Sequence, residues 1–323
     1  MNTRRIKDIV KLLMTACGIN IIARNRIRHL PRIIMYHGFC KTGDKDLKRT
    51  PIDQFYKQLT YIKKNNYSLW KVSELLSAQK ANGSYPENAV AITIDDGYEN
   101  FYNLAFPLLK ELDVPATIFV VSDLVDKNDW MWPDKFHYID DSLKGSSNEL
   151  DLNVSMEILS NLKKLPVIKR EGQLKHIAQE YNVSIPSEPP SKYKLMSWSQ
   201  LKDIVQSDLI EIGSHTCTHP IMRYLNNRDS WYEINESKKT ISERLQLKVT
   251  SFCYPNGQIG DYLEEHKKML QQAGYLCGIA SHFGYVLKSS NIYSLPRING
   301  GGRNFYKFVD YIDGLNYFLR HSL

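Results

Sequence analysis

Short runs of apolar residues alternate with amphipathic stretches along most of this chain of 323 residues. In the first half, runs that fit buried strands cover residues 32–36, 89–94 and 115–121, and patterns with helical spacing cover residues 51–65, 71–82 and 100–112. A buried strand followed by an amphipathic helix is typical of a βα unit. The alternation therefore predicts a parallel sheet with helices packed against it.

The alternation stops over residues 126–196 and then resumes. This polar segment contains two or three helical patterns and several prolines, so we interpret it as a helical insertion on the loop after a strand. Beyond it, helices are predicted at 197–207, 228–246, 261–273 and 304–320, and strands at 209–213, 249–253 and 275–280. About seven βα units with polar residues at the strand C-terminal ends favour an α/β barrel. An open doubly wound sheet usually carries a glycine-rich phosphate turn, and we find none in the sequence.

The net charge of +7 is located at the N-terminus. The first 32 residues contain eight lysines and arginines and one acidic residue, Asp8, whereas the charges of the remaining chain balance. A neutral body argues against a nucleic-acid groove, so we expect no nucleic acid partner. No apolar run reaches about 18 residues, so no transmembrane helix is predicted. The five cysteines form no Cys-x-x-Cys pair, which favours a reducing compartment.

The basic N-terminus predicts an amphipathic helix over residues 1–30, ahead of a barrel over residues 31–323. Its apolar positions at helical spacing are Ile6, Ile9, Val10, Leu13, Cys17 and Ile21. Such a helix can rest on an anionic membrane surface, or it can pack on the barrel with its basic face in solvent. Lys11 interrupts the apolar stretch and disfavours a signal peptide. We expect a cytoplasmic protein in peripheral contact with the inner membrane face, and export is the alternative.

Two adjacent carboxylates, Asp95 and Asp96, end the buried run at 89–94 and precede Gly97. Burying carboxylates without partners is costly, so both side chains can be expected to face one site. One could bind a metal while the other acts as a base on a water molecule. An acidic cap at the start of a helix is the alternative.

Two histidines, His215 and His219, follow the predicted strand at 209–213. A spacing of four places both imidazoles on one face of a helical turn, which suits the capture of a zinc-like ion. A hydrogen-bonded structural role is the alternative for either histidine. Cys217 lies between them and is interpreted as a small buried side chain.

A third strand end, at residues 249–253, leads into a turn that contains Pro255, Asn256 and Gly257. Such a turn can direct backbone N–H groups at an oxyanion, and a plain turn is the alternative. All three segments follow predicted strands, which is where barrel enzymes place their catalytic residues. Together they offer one carboxylate and two imidazoles for a metal, a second carboxylate, and an open metal position for water.

These motifs, in this order, resemble those of the polysaccharide deacetylases of carbohydrate esterase family 4. The family's Thr-Phe-Asp-Asp-Gly motif corresponds to Thr-Ile-Asp-Asp-Gly at 93–97, and its His-Ser/Thr-x-x-His-Pro motif is complete at 215–220. A weaker third motif, which ends in Pro-Tyr-Gly, corresponds to Pro-Asn-Gly at 255–257. The resemblance covers about residues 30–300. It implies a distorted (β/α) TIM-like barrel with a divalent metal, usually zinc.

The resemblance also implies a role for each matching residue. Asp95 corresponds to the general base, and Asp96, His215 and His219 correspond to the metal ligands. The metal would polarise the acetyl carbonyl and activate a water, and the oxyanion would sit against the metal and the backbone N–H of Asn256. The products would be an amine and acetate.

Two positions depart from the family pattern. Many members carry an arginine early in the third motif that steadies the base; none is present at 252–254, and Arg297 is the predicted substitute, with an ordinary ion pair as the alternative. The late Leu-x-x-His element that supplies the general acid is not recognisable. His37 is our first candidate, because Met-Tyr-His-Gly at 35–38 looks like the start of the poly-N-acetylglucosamine branch, and His282 is the second.

Aromatic residues are concentrated near the start of the insertion. Trp130 and Trp132 are predicted to line a glycan cleft, because sugar rings stack on aromatic faces, and core packing is the alternative. Tyr254 and Pro255 are predicted to contact the substrate from the third motif.

The sequence thus predicts a metal-dependent hydrolase that removes N-acetyl groups from amino sugars of a surface polysaccharide or its lipid-linked precursor. The predicted partner is this N-acetylated glycan. An O-acetyl carbohydrate esterase and a non-catalytic glycan-binding barrel are the alternatives.

Overall fold

The apolar runs form parallel strands in a computed structural model that describes residues 18–46, 48–127 and 129–321. The strands are β1 (Arg32–Tyr36), β2 (Phe39–Cys40), β3 (Thr50–Pro51), β4 (Ser68–Trp70), β5 (Ala89–Ile94), β6 (Ala116–Val120), β7 (Ile210–Ser214), β8 (Ser251–Cys253), β9 (Cys277–Phe283) and β10 (Leu295–Asn299). β5 and β6 are buried along their whole length, as is typical of strands covered on both faces.

Seven of these strands close into a barrel. The order is β1-β10-β9-β8-β7-β6-β5, and β5 pairs in parallel with β1 to complete the circle. All pairings within this barrel are parallel, so every strand directs its C-terminal end toward the same rim. The predicted α/β barrel of about seven units is therefore confirmed.

The barrel is distorted where β4 joins it. β4 pairs with the first half of β5, at Ala89, Val90 and Ala91, and β6 pairs with the second half, at Thr93 and Ile94. Since β1 runs along the opposite edge of β5, β4 and β6 share the remaining edge. The sequence analysis missed β4 because three half-buried residues give no clear period.

The helices surround the barrel. Among the described residues the α-helices are α1 (Ile19–Arg26), α2 (Ile52–Lys64), α3 (Val72–Asn82), α4 (Phe106–Glu111), α5 (Ser122–Lys127), α6 (Trp132–Leu143), α7 (Leu152–Lys163), α8 (Val167–Glu180), α9 (Trp198–Gln206), α10 (Asn227–Leu245), α11 (Glu264–Gln272), α12 (Phe305–Asp313) and α13 (Leu315–His321). A π-helical turn, Phe101–Ala105, precedes α4, so the helix predicted at 100–112 changes its winding part of the way along.

Near the C-terminus, one prediction is wrong and one strand was missed. The single helix predicted at 304–320 is broken at Gly314, which has a φ of 76°. A Cβ at Gly314 would lie 2.1 Å from Cδ1 of Ile27, so only glycine fits this contact. β10 was not predicted because Pro296 removes a ladder donor, and the pairing of β10 with β9 does shift register between Leu295 and Arg297.

The helical insertion has a core of its own. Within residues 126–196, α6, α7 and α8 pack around buried apolar side chains. These are Trp132, Phe136, Ile139, Leu143, Leu162, Leu174, Ile177 and Ala178. The insertion therefore forms a separate layer beside the C-terminal rim of the barrel, which its residues contact.

The described part of the N-terminal segment packs on the barrel. α1 contacts α12 and α13, and Nδ2 of Asn20 donates to Oδ2 of Asp313 at 2.7 Å. Ile27 and Leu30 are buried against Tyr285 and Ile298. The predicted membrane-facing residues from Ile6 to Cys17 lie outside the described residues. Over the ranges that the structure describes, no helix combines the length and apolarity needed to cross a membrane.

Candidate active site

The C-terminal ends of β5 and β7 bring four polar side chains into contact. Asp95 and Asp96 directly follow β5, His215 directly follows β7, and His219 lies four residues further on. All four are buried, with at most 8% of the residue surface exposed. The first two sequence motifs therefore meet at one point of the barrel rim.

The turn that carries the histidines is irregular, so the predicted helical turn is wrong. Thr216 and His219 have φ angles of 70° and 58°, in the left-handed region. For a β-branched residue such as Thr216, this conformation costs about 1–3 kcal/mol. The carboxylate of Glu233 holds the turn by accepting the backbone N–H groups of Cys217 at 2.7 Å and Thr218 at 3.0 Å.

Asp96, His215 and His219 form a donor set that fits a divalent metal. The Nε2 atoms of both histidines lie 3.4 Å from Oδ1 of Asp96. Tetrahedral bonds of zinc-like length separate ligand atoms by about 3.3–3.4 Å, so this spacing matches such a site. Nδ1 of His215 lies 2.7 Å from the carbonyl oxygen of Cys253, which it can reach as a donor while Nε2 stays free for a metal. Burial would raise the pKa of Asp96, but hydrogen bonds with the two imidazoles hold it well below its usual range.

The insertion supports this donor set from outside the barrel. The indole N–H of Trp132 donates to the backbone carbonyl of His219 at 2.9 Å. The guanidinium of Arg170 packs over the Trp132 ring, 4.5 Å from its centroid. Among the described residues, Nδ1 of His219 has no hydrogen-bond partner, although it is buried.

Asp95 is held by a bidentate pair with Arg297, which comes from β10. Nη1 of Arg297 donates to Oδ1 at 2.7 Å, and Nη2 donates to Oδ2 at 2.6 Å. Burial would raise the pKa of Asp95, but Arg297 outweighs it and keeps the pKa below its ordinary value. The Cys253 thiol lies 3.6 Å from Oδ2 of Asp95, and burial raises its pKa, so it remains a neutral neighbour.

The two candidate acids occupy different places. His37 lies at the cleft with a side chain that is 45% exposed, and its Nε2 is 3.8 Å from Oδ2 of Asp95. His282 lies in a separate depression with Phe283 and Tyr285. The structure therefore brings His37 to the site and leaves His282 apart from it.

The third motif contributes its turn but not its aromatic ring. Asn256 has a φ of 59°, lies at the cleft, and its backbone N–H has no acceptor among the described residues. Tyr254 is 1% exposed, and its hydroxyl donates to the carbonyl of Tyr293 at 2.9 Å. Pro255 is also buried. The predicted substrate contacts of Tyr254 and Pro255 do not fit this placement, because the chain turns their side chains into the core.

A cleft of about 350 Å³ leads to these groups. Trp132 forms part of its wall, and its contact with a glycan stays a prediction. Trp130 does not line it; the ring is 2% exposed and packs against Tyr138 and Tyr193, so core packing describes this residue.

Sequence reasoning missed several residues in the same wall, above all Asp134. This buried carboxylate accepts the hydroxyl of Tyr98 at 2.8 Å. Burial, with the nearby charge of Asp96, raises its pKa to about 7. Acidic residues are common in the first turn of a helix, where they stabilise its N-terminus, so Asp134 could not be selected from the sequence alone.

Comparison with known proteins gives the family. The sequence profile described as polysaccharide deacetylase matches residues 82–278, more than half of the chain. The chain is 22% identical over 269 residues to the poly-β-1,6-N-acetyl-D-glucosamine N-deacetylase of Staphylococcus aureus strain MSSA476, and the match covers 80% of this chain and 70% of the relative.

Solved structures share the fold. The deacetylase PplD of Streptococcus pyogenes is 20% identical, with a TM-score of 0.58 over 84% of this chain and 92% of the other. IcaB of Ammonifex degensii is 15% identical, with a TM-score of 0.58 over 88% of this chain and 97% of the other. Given the profile match and the barrel that carries both of its motifs, this chain belongs to the polysaccharide deacetylase family, whose members are hydrolases that remove acetyl groups.

Proposed function

We propose that this chain is a metal-dependent deacetylase that removes N-acetyl groups from amino sugars of a surface polysaccharide or of its lipid-linked precursor. The observation that carries the proposal is that a metal donor set and a paired carboxylate lie side by side at one rim of the barrel. Asp96, His215 and His219 form the donor set. The ionised Asp95 lies beside it and accepts two hydrogen bonds from Arg297.

Asp96, His215 and His219 are the proposed metal ligands, and zinc is the proposed metal. One carboxylate and two imidazoles are a usual set for catalytic zinc, and they leave a position open. When bound, the ion supplies Lewis-acid polarisation of the acetyl carbonyl and lowers the pKa of a water molecule.

Asp95 is the proposed general base. Its lowered pKa keeps it ionised at neutral pH, so Oδ1 or Oδ2 can accept the proton of the water that adds to the acetyl carbon. Arg297 is the positioning residue, because its two N–H groups fix the plane of the carboxylate.

Asn256 and His37 complete the proposed reaction. The free backbone N–H of Asn256 donates to the oxygen that gains negative charge as water adds. His37, through Nε2, donates a proton to the amide nitrogen as the carbon–nitrogen bond breaks. The products are a free amine on the sugar and acetate.

The first test is acetate release by zinc-loaded protein from N-acetylhexosamine oligomers and from O-acetylated glycans. We expect release from the N-acetylated panel and a loss of about 10²–10⁴-fold in Asp95→Asn. Asp208→Asn, at a fully exposed side chain, is the matched control and should behave as wild type.

Two results would contradict the proposal. Release from the O-acetylated glycans alone would identify a carbohydrate esterase. Tight glycan binding without release from any substrate by the zinc-loaded protein would identify a glycan-binding barrel.

We also propose that the protein works at the cytoplasmic face of the inner membrane. The support is the concentration of positive charge in the first 32 residues, since each basic residue near an anionic surface adds about 1 kcal/mol. Deleting residues 1–17 removes four of the eight basic residues, leaves Ile27 and Leu30 in their barrel contact, and should weaken flotation with anionic vesicles. Flotation equal to that of the full chain would contradict this location.

A further inference from the structure

Four basic side chains form a cluster beside the cleft, which we call the basic rim: Lys48, Arg49, Lys144 and Lys192. Lys48 and Arg49 line the cleft itself. Three of the four surround one carboxylate, Asp141, whose Oδ atoms lie 2.6 Å from Nζ of Lys144, 3.2 Å from Lys192 and 3.7 Å from Lys48.

Few carboxylates contact the basic rim directly. Within 4 Å, its four basic groups meet two described carboxylates, Asp141 and Asp46. Asp140, Glu149 and Asp134 act on the basic rim at longer range, and burial raises the pKa of Asp134 to about 7. Like charges crowded around a single carboxylate repel one another, so an additional anion would stabilise the arrangement.

The positive charge of Lys48 acts on His137 in the cleft wall. Burial and the ammonium of Lys144 lower the pKa of Lys48, although Asp141 opposes them. Burial and the ammonium of Lys48 also lower the pKa of His137, another residue of the cleft wall, to about 4. Burial is the largest cause in both cases; at Lys48 the neighbouring carboxylates oppose it, whereas at His137 the charge of Lys48 adds to it.

The guanidinium of Arg49 is fixed in place before any ligand arrives. It packs over the rings of Tyr193 and Tyr98, at 5.0 and 5.5 Å from their centroids, and it donates to the backbone carbonyl of Lys192. Within the described residues its Nε has no hydrogen-bond acceptor, although the atom is buried.

We propose that the basic rim is a subsite for an oxyanion, a phosphate or a carboxylate, carried by the substrate on the unit next to the acetylated sugar. This inference rests on the proposed function, because it assumes that the acetylated sugar lies at Asp95 and Asp96. The subsite selects acidic glycans or phosphate-linked precursors over neutral N-acetylglucosamine polymers. Tyr193 and Trp132, both buried, form part of the cleft wall.

Binding is measured in the full-length, zinc-loaded Asp95→Asn protein, so that turnover does not enter. The probes are a neutral N-acetylglucosamine disaccharide, the same disaccharide with a 1-phosphate, and one that ends in a glucuronate. We expect the charged disaccharides to bind at least tenfold more tightly by calorimetry. This preference should shrink as NaCl concentration rises.

The variant for this test is Lys48→Met/Lys192→Met in the same background. We expect it to lose the tenfold preference and to bind the neutral disaccharide within twofold of its parent. Lys194→Met is the matched control, because Lys194 is similarly exposed, lies two residues from Lys192 and pairs with Glu99 at 3.3 Å instead.

Equal affinity for neutral and charged disaccharides in the parent protein would overturn the subsite, and so would equal losses for both in the double variant. A preference for the phosphate alone indicates a phosphate-linked precursor, whereas a preference for the glucuronate indicates an acidic polymer. Failure of the proposed function is seen separately, as absence of acetate release from every disaccharide by the wild-type enzyme.

Discussion

The two walls of the cleft hold their polar groups in different ways. On the barrel wall, Asp95 has a bidentate partner and Asp96 contacts two imidazoles, all of them buried. The opposite wall is built mainly from the insertion, and we call it the insertion wall. There Asp141 is shared by Lys144, by Lys192 and, from the loop before β3, by Lys48; these lysine side chains are 40–59% exposed. α7 buries a single residue fully, Leu162.

This difference suggests a division of roles, in which the barrel wall carries the catalytic groups and the insertion wall influences which substrate binds. The barrel wall fixes its groups through long-range contacts, so a change there disturbs both folding and catalysis. The insertion wall presents partly exposed charges around one carboxylate, so a change there can alter which substrate binds while the barrel stays intact. The following predictions test this separation, starting with the largest expected effect.

Replacing Arg297 by methionine should destabilise the fold through the barrel wall of the cleft. The change leaves the Asp95 carboxylate buried without its partner, which costs about 3–5 kcal/mol of the free energy of unfolding. Urea unfolding at pH 7 measures this loss. The double variant Asp95→Asn/Arg297→Met should recover part of the lost free energy, because it also removes the unpaired carboxylate charge of Asp95. A single variant as stable as wild type would contradict the pairing.

Replacing Asp134 by asparagine should remove a pH dependence. The folded-state pKa of Asp134 is raised from 3.8 to about 7, so the native state holds a proton that the unfolded chain releases. This stabilisation is complete below pH 3.8 and is lost as pH rises toward 7, by up to about 1.4 kcal/mol per unit. Chelator-treated wild type should therefore lose stability relative to Asp134→Asn over this range, as followed by urea unfolding. A parallel pH profile for both proteins would contradict the raised pKa.

Replacing Trp132 by phenylalanine should weaken the link between the two walls. A smaller aromatic ring remains, but the hydrogen bond to the carbonyl of His219 is lost, which costs about 1 kcal/mol. We expect zinc to bind up to about tenfold more weakly in a competition titration with a chelating dye. Trp198→Phe is the control, because Nε1 of Trp198 has no acceptor among the described residues. Equal zinc affinities in both variants would argue against this support.

Replacing Met156 by serine should have the smallest effect. Its side chain is 58% exposed on α7, so the free energy of unfolding should change by less than about 0.5 kcal/mol. Thermal unfolding and acetate release together measure the response. A large loss of stability would show that the insertion is as tightly coupled to the fold as the barrel wall.

The barrel and the two principal motifs could be predicted because their signals are local. β5 and β7 are short apolar runs, and Asp95, Asp96 and His215 stand directly at their ends. Arg297 could be named as a candidate, but its pairing with Asp95 depends on β10, which the proline at 296 concealed.

The insertion wall could not be predicted for a different reason. The basic rim draws Lys48 from the loop before β3, Lys144 from the end of α6 and Lys192 from a 3₁₀ turn, and no spacing along the sequence relates them. Tyr254 shows the opposite kind of error. Its place in the third motif predicted a contact with the substrate, but the ring lies in the core next to β8.

The origin of Arg297 in the last strand also affects the timing of biosynthesis. Asp95 precedes its partner by 202 positions. At about 5–20 residues per second, a ribosome needs about 10–40 s to add them. During that interval Asp95 has no Arg297 to pair with. β1 can pair with β5 but not yet with β10. The site is therefore completed only after β10 has been synthesised.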